Sequence, residues 1–508
     1  MKRRGFLKQT ALGVAAMGMG ANAENNEAQD AAMAAREDKT YRYRIGFGAW
    51  INDMRNRALP LENWPAPQFD DETVAGAIRA LDVMSEAGYE YLDAFGLWAT
   101  GDYPLDVESA FRDVERRKRL KTLFNAAKKR KIRMVLPLGL FTWGYDRIIR
   151  EDPEVCGQNA DGTPHAHAMC GAKEKSWRYV ERLIDAAFSE FDFAAVHMES
   201  ADQGWCQCPQ CAGKYGTVGY NARLNIRASQ YIKGKHPGTV TYAIPINWAP
   251  WGLTNGEQTK FSEDEIAHVI ELSRHIDVFM DQGHRGRFMP WDRVHELHCA
   301  YGTSGGLWTY HGARVDRLSY FLPYPMRAAR LLREHYDHGA RAGLIYQGPM
   351  INPAVEVNSA VSGRVMSDAG RDPREVLEEV IDAHYKPRRP GAARTLAELY
   401  VRAEEAYFGQ WHEEAFRELH KMEMPGEFVL GLLFGTTPDP MTHLKEPFLN
   451  TEGRLACQKG LEGVLKDLAA IEDEFDDEGR IERMTRSIAL SLHALNTIMD
   501  CKGEAWRS

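Results

Sequence analysis

Residues 193–199, with the sequence Phe-Ala-Ala-Val-His-Met-Glu, decide how the rest of this chain is interpreted. Four apolar residues are followed by ionisable ones, a pattern typical of a buried β-strand that ends at the rim of a pocket. The polar run continues to Asp202, and three cysteines, Cys206, Cys208 and Cys211, come soon after it. The stretch therefore predicts a strand that presents Glu199 at the end of a barrel where such folds keep their functional groups.

The surrounding sequence alternates short β-rich runs with helical stretches between about residues 43 and 351. Eight β-rich runs are present: 43–50, 89–95, 132–140, 193–199, 239–247, 276–281, 305–311 and 343–347. Such alternation favours parallel βαβ units and predicts an α/β fold, a (β/α)8 TIM-like barrel. The alternative is a doubly wound open sheet, which is disfavoured because no Gly-rich phosphate loop follows the first run.

Beyond about residue 353 the β signal ends and helical signals continue. Asp372 followed by a proline is a typical helix start, because the carboxylate can cap the first turn and proline suits its φ angle. Further helical patterns cover 391–408, 453–474 and 480–500. We therefore expect a catalytic barrel over residues 41–352 and a helical C-terminal region over residues 353–508.

The first 23 residues have the features of an export signal. Arg3-Arg4 precedes an apolar stretch from Thr10 to Met19, and Ala21-Asn22-Ala23 has the small-x-small form of a cleavage site. The paired arginines are typical of twin-arginine signals, so we expect an exported protein, periplasmic or extracellular, with residues 24–40 as a linker. An uncleaved anchor is the alternative, but the apolar stretch is short for a membrane span and no later segment is suited to one.

The composition is that of a soluble globular protein, with 44% hydrophobic residues, 27% charged residues and a net charge of −9. Lys and Arg are spread along the chain, so we expect no nucleic-acid partner. The 12 Trp and 20 Tyr residues are more informative, because their flat rings suit sugar faces as well as protein cores. We therefore expect a polysaccharide or glycan as the partner.

In a barrel of this kind, residues at the carboxyl ends of the strands converge on one face. The substrate-binding candidates at the ends of the predicted strands are Asp93, Trp143, His197, Asn247, Trp248, His284, Trp308, Tyr310, His311, Tyr346 and Gln347. Aromatic rings that stack on sugars, together with amides and acids that bind hydroxyl groups, are the composition of a carbohydrate site.

Three carboxylates are the catalytic candidates, because glycoside cleavage needs a proton donor and a second group at the anomeric centre. Glu199 is the predicted proton donor, since a partly buried carboxyl group holds its proton more readily. Asp202 or Asp281 is the predicted second carboxylate. The alternative for each aspartate is an ion pair with a nearby arginine.

The Cys-x-Cys-x-x-Cys cluster has three interpretations. A structural zinc site needs four ligands, so Cys156, Cys170 or a histidine would have to join Cys206, Cys208 and Cys211. After export, Cys206 or Cys208 could instead form a disulfide with Cys170, or all the thiols could be reduced and buried. We expect a structural role, with zinc as the candidate metal and no cofactor required for catalysis.

The cysteine motif is also the most specific part of a resemblance to a known group of proteins. Asp161-Gly162, Cys170 and the run from Asp202 to Cys211 resemble the signature of a glycoside-hydrolase-like barrel group. That group is typified by bacterial endo-β-N-acetylglucosaminidases and is distantly related to alpha-glucuronidases. Its members usually have a Pro-Asp-Gly turn before the cysteines, where this chain has Ala201-Asp202-Gln203-Gly204. The resemblance covers about residues 130–410 and implies an exported carbohydrate-active barrel.

An exported glycoside hydrolase that cleaves a polysaccharide or glycan is the function these observations favour. One alternative is a polysaccharide lyase acting on uronic acids, in which His284, Arg285, Tyr310 and His311 would transfer the proton. Another is a non-catalytic carbohydrate-binding barrel, which would keep the aromatic residues without depending on Glu199.

Overall fold

The computed structural model describes thirteen stretches of the chain and one further residue, Trp248. The stretches are 39–48, 70–94, 113–142, 145–201, 204–246, 253–254, 257–258, 260–281, 288–305, 321–348, 350–408, 451–477 and 479–500. The predicted export signal over 1–23, and all but the last two residues of the predicted linker over 24–40, lie outside them. Both therefore stay predictions.

Eight parallel strands close into a barrel, in which each strand pairs with its neighbours along the chain and the last pairs with the first. In chain order they are β1 (Tyr43–Gly48), β2 (Tyr91–Asp93), β3 (Arg133–Gly139), β4 (Phe193–Glu199), β5 (Val240–Ile244), β6 (Val278–Asp281), β7 (Ala300–Gly305) and β8 (Ala340–Gln347). The predicted (β/α)8 TIM-like barrel is confirmed, and the open sheet is wrong because β8 is hydrogen-bonded to β1.

Strand β7 corrects one of the predicted strands. The sequence favoured 305–311, where Trp308 and Tyr310 have high β propensity, but the strand is Ala300–Gly305. Apart from Tyr301 and Thr303 its residues are Gly, Ala or Ser, so its place in the sheet depends on pairing with β6 and β8 on either side. Residues 306–311 of the predicted strand lie outside the described residues.

Helices follow the strands and cover the barrel. They are α1 (Asp71–Ala87), α2 (Val114–Lys129), α3 (Glu174–Glu190), α4 (Ala212–Lys235), α5 (Glu263–Ser273), α6 (Pro325–Asp337) and α7 (Pro353–Ser367). Residues 288–299, the described part of the connection between β6 and β7, contain a short 3-10 helix, Trp291–Glu296. The side chain of Asp70 caps α1 by accepting a hydrogen bond from the Thr73 amide at 2.8 Å. Gly88 ends α1 in the left-handed conformation, with φ of +87°.

Within the described residues after the barrel there are four more helices: α8 (Pro373–Tyr385), α9 (Ala392–Phe408), α10 (Thr451–Ile471) and α11 (Arg480–Asp500). Asp372 caps α8 as expected, accepting hydrogen bonds from two backbone amides of its first turn. Helix α7 contacts α1, β8 and β1, so it belongs to the helical layer of the barrel. The predicted division between residues 352 and 353 stays a prediction.

A β-hairpin lies between β3 and α3, with antiparallel strands Cys156–Gln158 and Pro164–Met169. It follows a short helix, Asp146–Glu151, on the side of the barrel where the strands end. Among the described residues, no helix is both long enough and apolar enough to cross a membrane.

Candidate active site

The register of the strands decides which of the predicted site residues face the barrel interior. Side chains alternate between the two faces of a strand, and residues paired across parallel strands share a face. Phe47 is paired with Asp93 on one side and with Tyr346 on the other. On the opposite side of the barrel, His197 is paired with Tyr242. The group that faces inward is Phe47, Asp93, His197, Glu199, Tyr242 and Tyr346.

A buried series of polar contacts runs from Tyr242 to Glu199. Oδ2 of Asp93 accepts a hydrogen bond from Nδ1 of His197 at 2.7 Å and a second one from the hydroxyl of Tyr242. The other ring nitrogen of His197, Nε2, lies 3.5 Å from Oε2 of Glu199. That distance suits an ion pair and is longer than a good hydrogen bond. All four side chains are at most 4% exposed, so the contacts are shielded from water.

The charge of His197 follows from these neighbours. Burial on its own lowers the pKa of the imidazole, but the carboxylates of Asp93 and Glu199 outweigh burial and raise the pKa of His197 to about 9. His197 is therefore an imidazolium at neutral pH, with one N–H directed at each carboxylate. Because both nitrogens carry protons, the ring orients its neighbours and does not act as a base.

Tyr242 keeps its proton in the same cluster. Burial first, and the nearby carboxylate of Asp93 second, raise the pKa of Tyr242 well above its usual value. Its hydroxyl therefore keeps its proton at neutral pH and donates it to Asp93 in a hydrogen bond. The imidazole of His197 stacks on the Tyr242 ring, with 5.2 Å between ring centres. Together these contacts hold the His197 ring in one position beside Glu199.

Asp281 is placed outside this group, although it ends strand β6 as predicted. Register pairs Val278 with the inward-facing Tyr242, so Asp281, three residues later, points to the outer layer. Its two oxygens accept hydrogen bonds from the backbone amides of Phe288 and Met289, each at 3.0 Å. The Tyr301 hydroxyl also donates to it, at 2.8 Å. The carboxylate thus fixes the segment that follows β6.

Trp248 and Gln347 also face the outer layer. The buried indole of Trp248 donates to the hydroxyl of Ser200 at 3.1 Å, and Ser200 points away from the interior because it follows Glu199 directly. The side-chain oxygen of Gln347 accepts a hydrogen bond from Ser359 in α7. Gln347 is fully buried, so its amide serves the packing of α7 on β8.

The remaining predicted residues cannot be placed, because they lie outside the described residues. They are Trp143, Asp202, Asn247, His284, Trp308, Tyr310 and His311. Arg285, which the lyase alternative would require, also lies outside the described residues. Their roles stay predictions.

Two inward-facing residues, Phe47 and Tyr242, were not among the predicted site residues. Both lie inside predicted strands rather than at their ends, and only strand ends were considered. Phe47 packs edge-on against Tyr346, with 5.1 Å between ring centres. Phe47 lies one position before the end of β1 and Tyr242 two positions before the end of β5, but the predicted strands extended further, to residues 50 and 247, and hid this signal.

Four cysteines, not three, form the candidate metal site. The sulfur atoms of Cys170, Cys206, Cys208 and Cys211 all lie within 4.8 Å of one another, and all four are free thiols. Hydrogen bonds from Cys206 and Cys211 lower the pKa of the Cys170 thiol, and the same contacts raise the pKa of Cys211. Cys156, the other predicted fourth ligand, instead donates its S–H to the His165 carbonyl at 3.2 Å.

Comparison of the chain with models of protein families finds no match, and a search of curated proteins finds none either. Among solved structures, a GH138 enzyme targeting pectin rhamnogalacturonan II is similar over 90% of this chain and 70% of its own, at 12% identity and a TM-score of 0.52. An O-GlcNAc hydrolase from Thermobaculum terrenum matches over 92% of this chain and 97% of its own, at 11% identity and a TM-score of 0.40. The fold is the one that TIM-barrel glycoside hydrolases have.

Proposed function

We propose that this chain is an exported glycoside hydrolase in which Glu199 is the general acid/base. The observation that carries the proposal is the position of Glu199, at the carboxyl end of β4, facing the barrel interior beside the imidazolium of His197. TIM-barrel enzymes place their catalytic groups at this end of the strands. A carboxyl group there can protonate the leaving oxygen of a glycoside and later activate water. Export rests on the pattern of residues 1–23.

Asp93, His197 and Tyr242 act in this proposal as positioning residues. Tyr242 and His197 both donate to Asp93, which fixes the imidazole ring, and the ring directs its second N–H at Glu199. A carboxyl group that is already oriented loses little freedom when the substrate binds, and this lowers the barrier to reaction. The positive charge of His197 also compensates the buried carboxylate of Asp93, to which it is hydrogen-bonded.

Asp202 is the proposed second carboxylate. It follows Glu199 by three residues in the sequence, although it lies outside the described residues. Asp281, the other candidate, already accepts hydrogen bonds from two backbone amides and a tyrosine, which favours Asp202 for contact with the sugar.

The substrate in this proposal is a polysaccharide or glycan. The cysteine motif resembles that of endo-β-N-acetylglucosaminidases, which supports N-acetylhexosamine glycans. The GH138 enzyme of the same fold is described as targeting pectin, so pectic polysaccharides belong beside these glycans in a substrate panel.

The purified chain, incubated with such a panel, should release new reducing ends from at least one polymer. Glu199→Gln should lower its turnover by at least about 100-fold, the lower range for loss of a general acid/base. Its thermal stability and its affinity for the polymer should stay close to those of the wild type. Products that absorb in the ultraviolet as unsaturated uronates would establish a lyase instead. Binding without any product, or an active Glu199→Gln variant, would also refute the proposal.

Glu404→Gln is the matched control, because Glu404 is another buried glutamate that lies outside the barrel interior. It belongs to α9, and its carboxylate accepts hydrogen bonds from the backbone amides of Met326 and Arg327 at 2.9 Å and 3.0 Å. Replacing it should lower the melting temperature and leave the turnover of the folded protein unchanged. Comparison of the two variants separates a catalytic loss from the general cost of removing a buried carboxylate.

A further inference from the structure

We propose that Cys170, Cys206, Cys208 and Cys211 bind one zinc ion, which joins the hairpin before α3 to the segment that follows β4. The assignment is independent of the glycosidase proposal, because none of the four thiols belongs to the inward-facing group around Glu199. It also changes the ligand set expected from the sequence by selecting Cys170 over Cys156 and histidine.

The distances between the sulfur atoms fit a tetrahedral site. Sulfurs placed about 2.3 Å from a zinc ion at the corners of a tetrahedron lie about 3.8 Å apart. Sγ of Cys170 lies 3.7 Å from that of Cys211 and 3.9 Å from that of Cys208. A disulfide would need about 2.0 Å between two of these atoms. Two of the six sulfur–sulfur distances therefore match a tetrahedral site, and all six lie within 4.8 Å.

Backbone contacts hold the two segments in this arrangement. The amide of Gln158, in the hairpin, donates to Sγ of Cys206 at 3.4 Å, and an N–H directed at sulfur favours the thiolate that binds a metal. In return, the amide of Gln207 donates to the carbonyl of Gln158 at 2.7 Å. Within the second segment, the amide of Cys211 donates to the carbonyl of Cys208 at 3.0 Å.

Gly157 shows how closely the two segments approach each other. A Cβ atom at this position would lie 2.7 Å from the carbonyl oxygen of Ala168 and 3.1 Å from Cβ of Cys206. No side chain fits there without displacing the backbone. The hairpin and the Cys206 segment therefore contact each other directly at the cluster.

The chemistry of the ligands favours zinc. Four thiolates form a closed site with no open position, which is the arrangement of structural zinc, whereas calcium and magnesium prefer oxygen ligands. Cys170, Cys206 and Cys211 are buried, so these sulfur atoms can enclose one ion away from water.

The site also has a consequence for the neighbouring strand. Cys206 follows Glu199 by seven residues, and the chain between them turns at Gly204, whose φ is +96°. A Cβ atom on Gly204 would lie 2.6 Å from Nε2 of His165 in the hairpin, so this turn rests on the hairpin. The bound ion would fix the segment that leaves the strand carrying Glu199.

Elemental analysis of the full chain, purified without added metal, tests the assignment. The wild type should carry one zinc ion per chain, and Cys170→Ser should lose nearly all of it. Cys156→Ser is the matched control, since Cys156 lies in the same hairpin, 14 positions before Cys170, with its thiol bonded to a carbonyl. It should keep the ion.

Two further measurements make the result independent of whether a variant folds. Wild-type protein stripped of metal and loaded with Co²⁺ should show the strong visible absorption of tetrahedral cobalt with thiolate ligands. Its intact mass under denaturing conditions should be that of the fully reduced chain. Metal-free wild-type protein, iron in place of zinc, a disulfide among the four cysteines, or equal metal loss in Cys156→Ser would each overturn the assignment.

Discussion

Replacing His197 by glutamine should remove a pH dependence from the stability of this protein. The pKa of His197 is about 9 in the folded protein, against 6.5 for an ordinary histidine. A group whose pKa is raised by folding stabilises the folded state fully below its unfolded pKa. That contribution is then lost as the pH rises through the folded pKa. Each pH unit between the two values corresponds to about 1.4 kcal/mol, so the wild type should lose about 3 kcal/mol between pH 6.5 and 9.

Urea denaturation at several pH values from about 6 to about 10 measures this loss. Glutamine can still donate a hydrogen bond to Asp93 but does not titrate, so its unfolding free energy should lack this contribution. The difference between wild type and His197→Gln should therefore shrink by about 3 kcal/mol over the range. His384→Gln is the control, because burial lowers the pKa of His384 and leaves it neutral above pH 6.5. A constant difference between wild type and His197→Gln would refute a charged His197.

Three further predictions concern residues outside the inward-facing group. Asp281→Asn should lower the free energy of unfolding by about 1–3 kcal/mol, because one of the two backbone amides would then face an NH₂ group. Initial rates of the variant should show that its turnover is unchanged. Gly157→Ala should lower the free energy of unfolding by about 1–3 kcal/mol, because the added methyl group would contact neighbouring atoms. Gly234→Ala is the control, since a Cβ atom there meets no neighbouring atom within 4 Å, and urea denaturation should show no decrease. Burial raises the pKa of Glu404 from 4.5 to about 7. The protonated side chain therefore contributes fully to the stability of the folded state below pH 4.5, and this contribution is lost as the pH rises through about 7. Glu404→Gln should abolish this loss in melting temperatures measured across that range.

The barrel could be predicted from the sequence because its strands are short, apolar and separated by helical stretches. The bounds of β7 were harder to predict, because only Tyr301 and Thr303 in Ala300–Gly305 have high β propensity and the strand depends on its neighbours in the sheet. The helix start at Asp372 was easier to predict, because a cap is a local interaction between residues close in sequence.

The face of each strand could not be predicted in the same way. Parallel strands are buried on both faces, so their sequences lack the alternation that would distinguish interior from exterior. Tyr346 and Gln347 are adjacent polar-ended residues, and only the register with β1 places the first inside and the second against α7. Glu199 and Ser200 are adjacent as well. Alternation along the strand places Glu199 inside the barrel and Ser200 outside it, where the Ser200 hydroxyl accepts a hydrogen bond from Trp248.

The fourth cysteine could not be chosen from spacing either. Cys156 and Cys170 lie at the two ends of one hairpin, and short spacing rules apply only within a single segment. The hairpin brings Cys170 to the cluster and turns the thiol of Cys156 to the His165 carbonyl. The choice depends on tertiary structure.

The cysteine cluster joins positions that are 36 residues apart, from Cys170 to Cys206, with α3 and β4 between them. An ion held there acts as a reversible cross-link. In the chain-entropy description, closing a ring of this size restricts the unfolded chain by about 4 kcal/mol. Unfolding of α3 and β4 would then require either release of the ion or a denatured state that keeps this ring closed. The free energy of unfolding would therefore depend on the concentration of available metal.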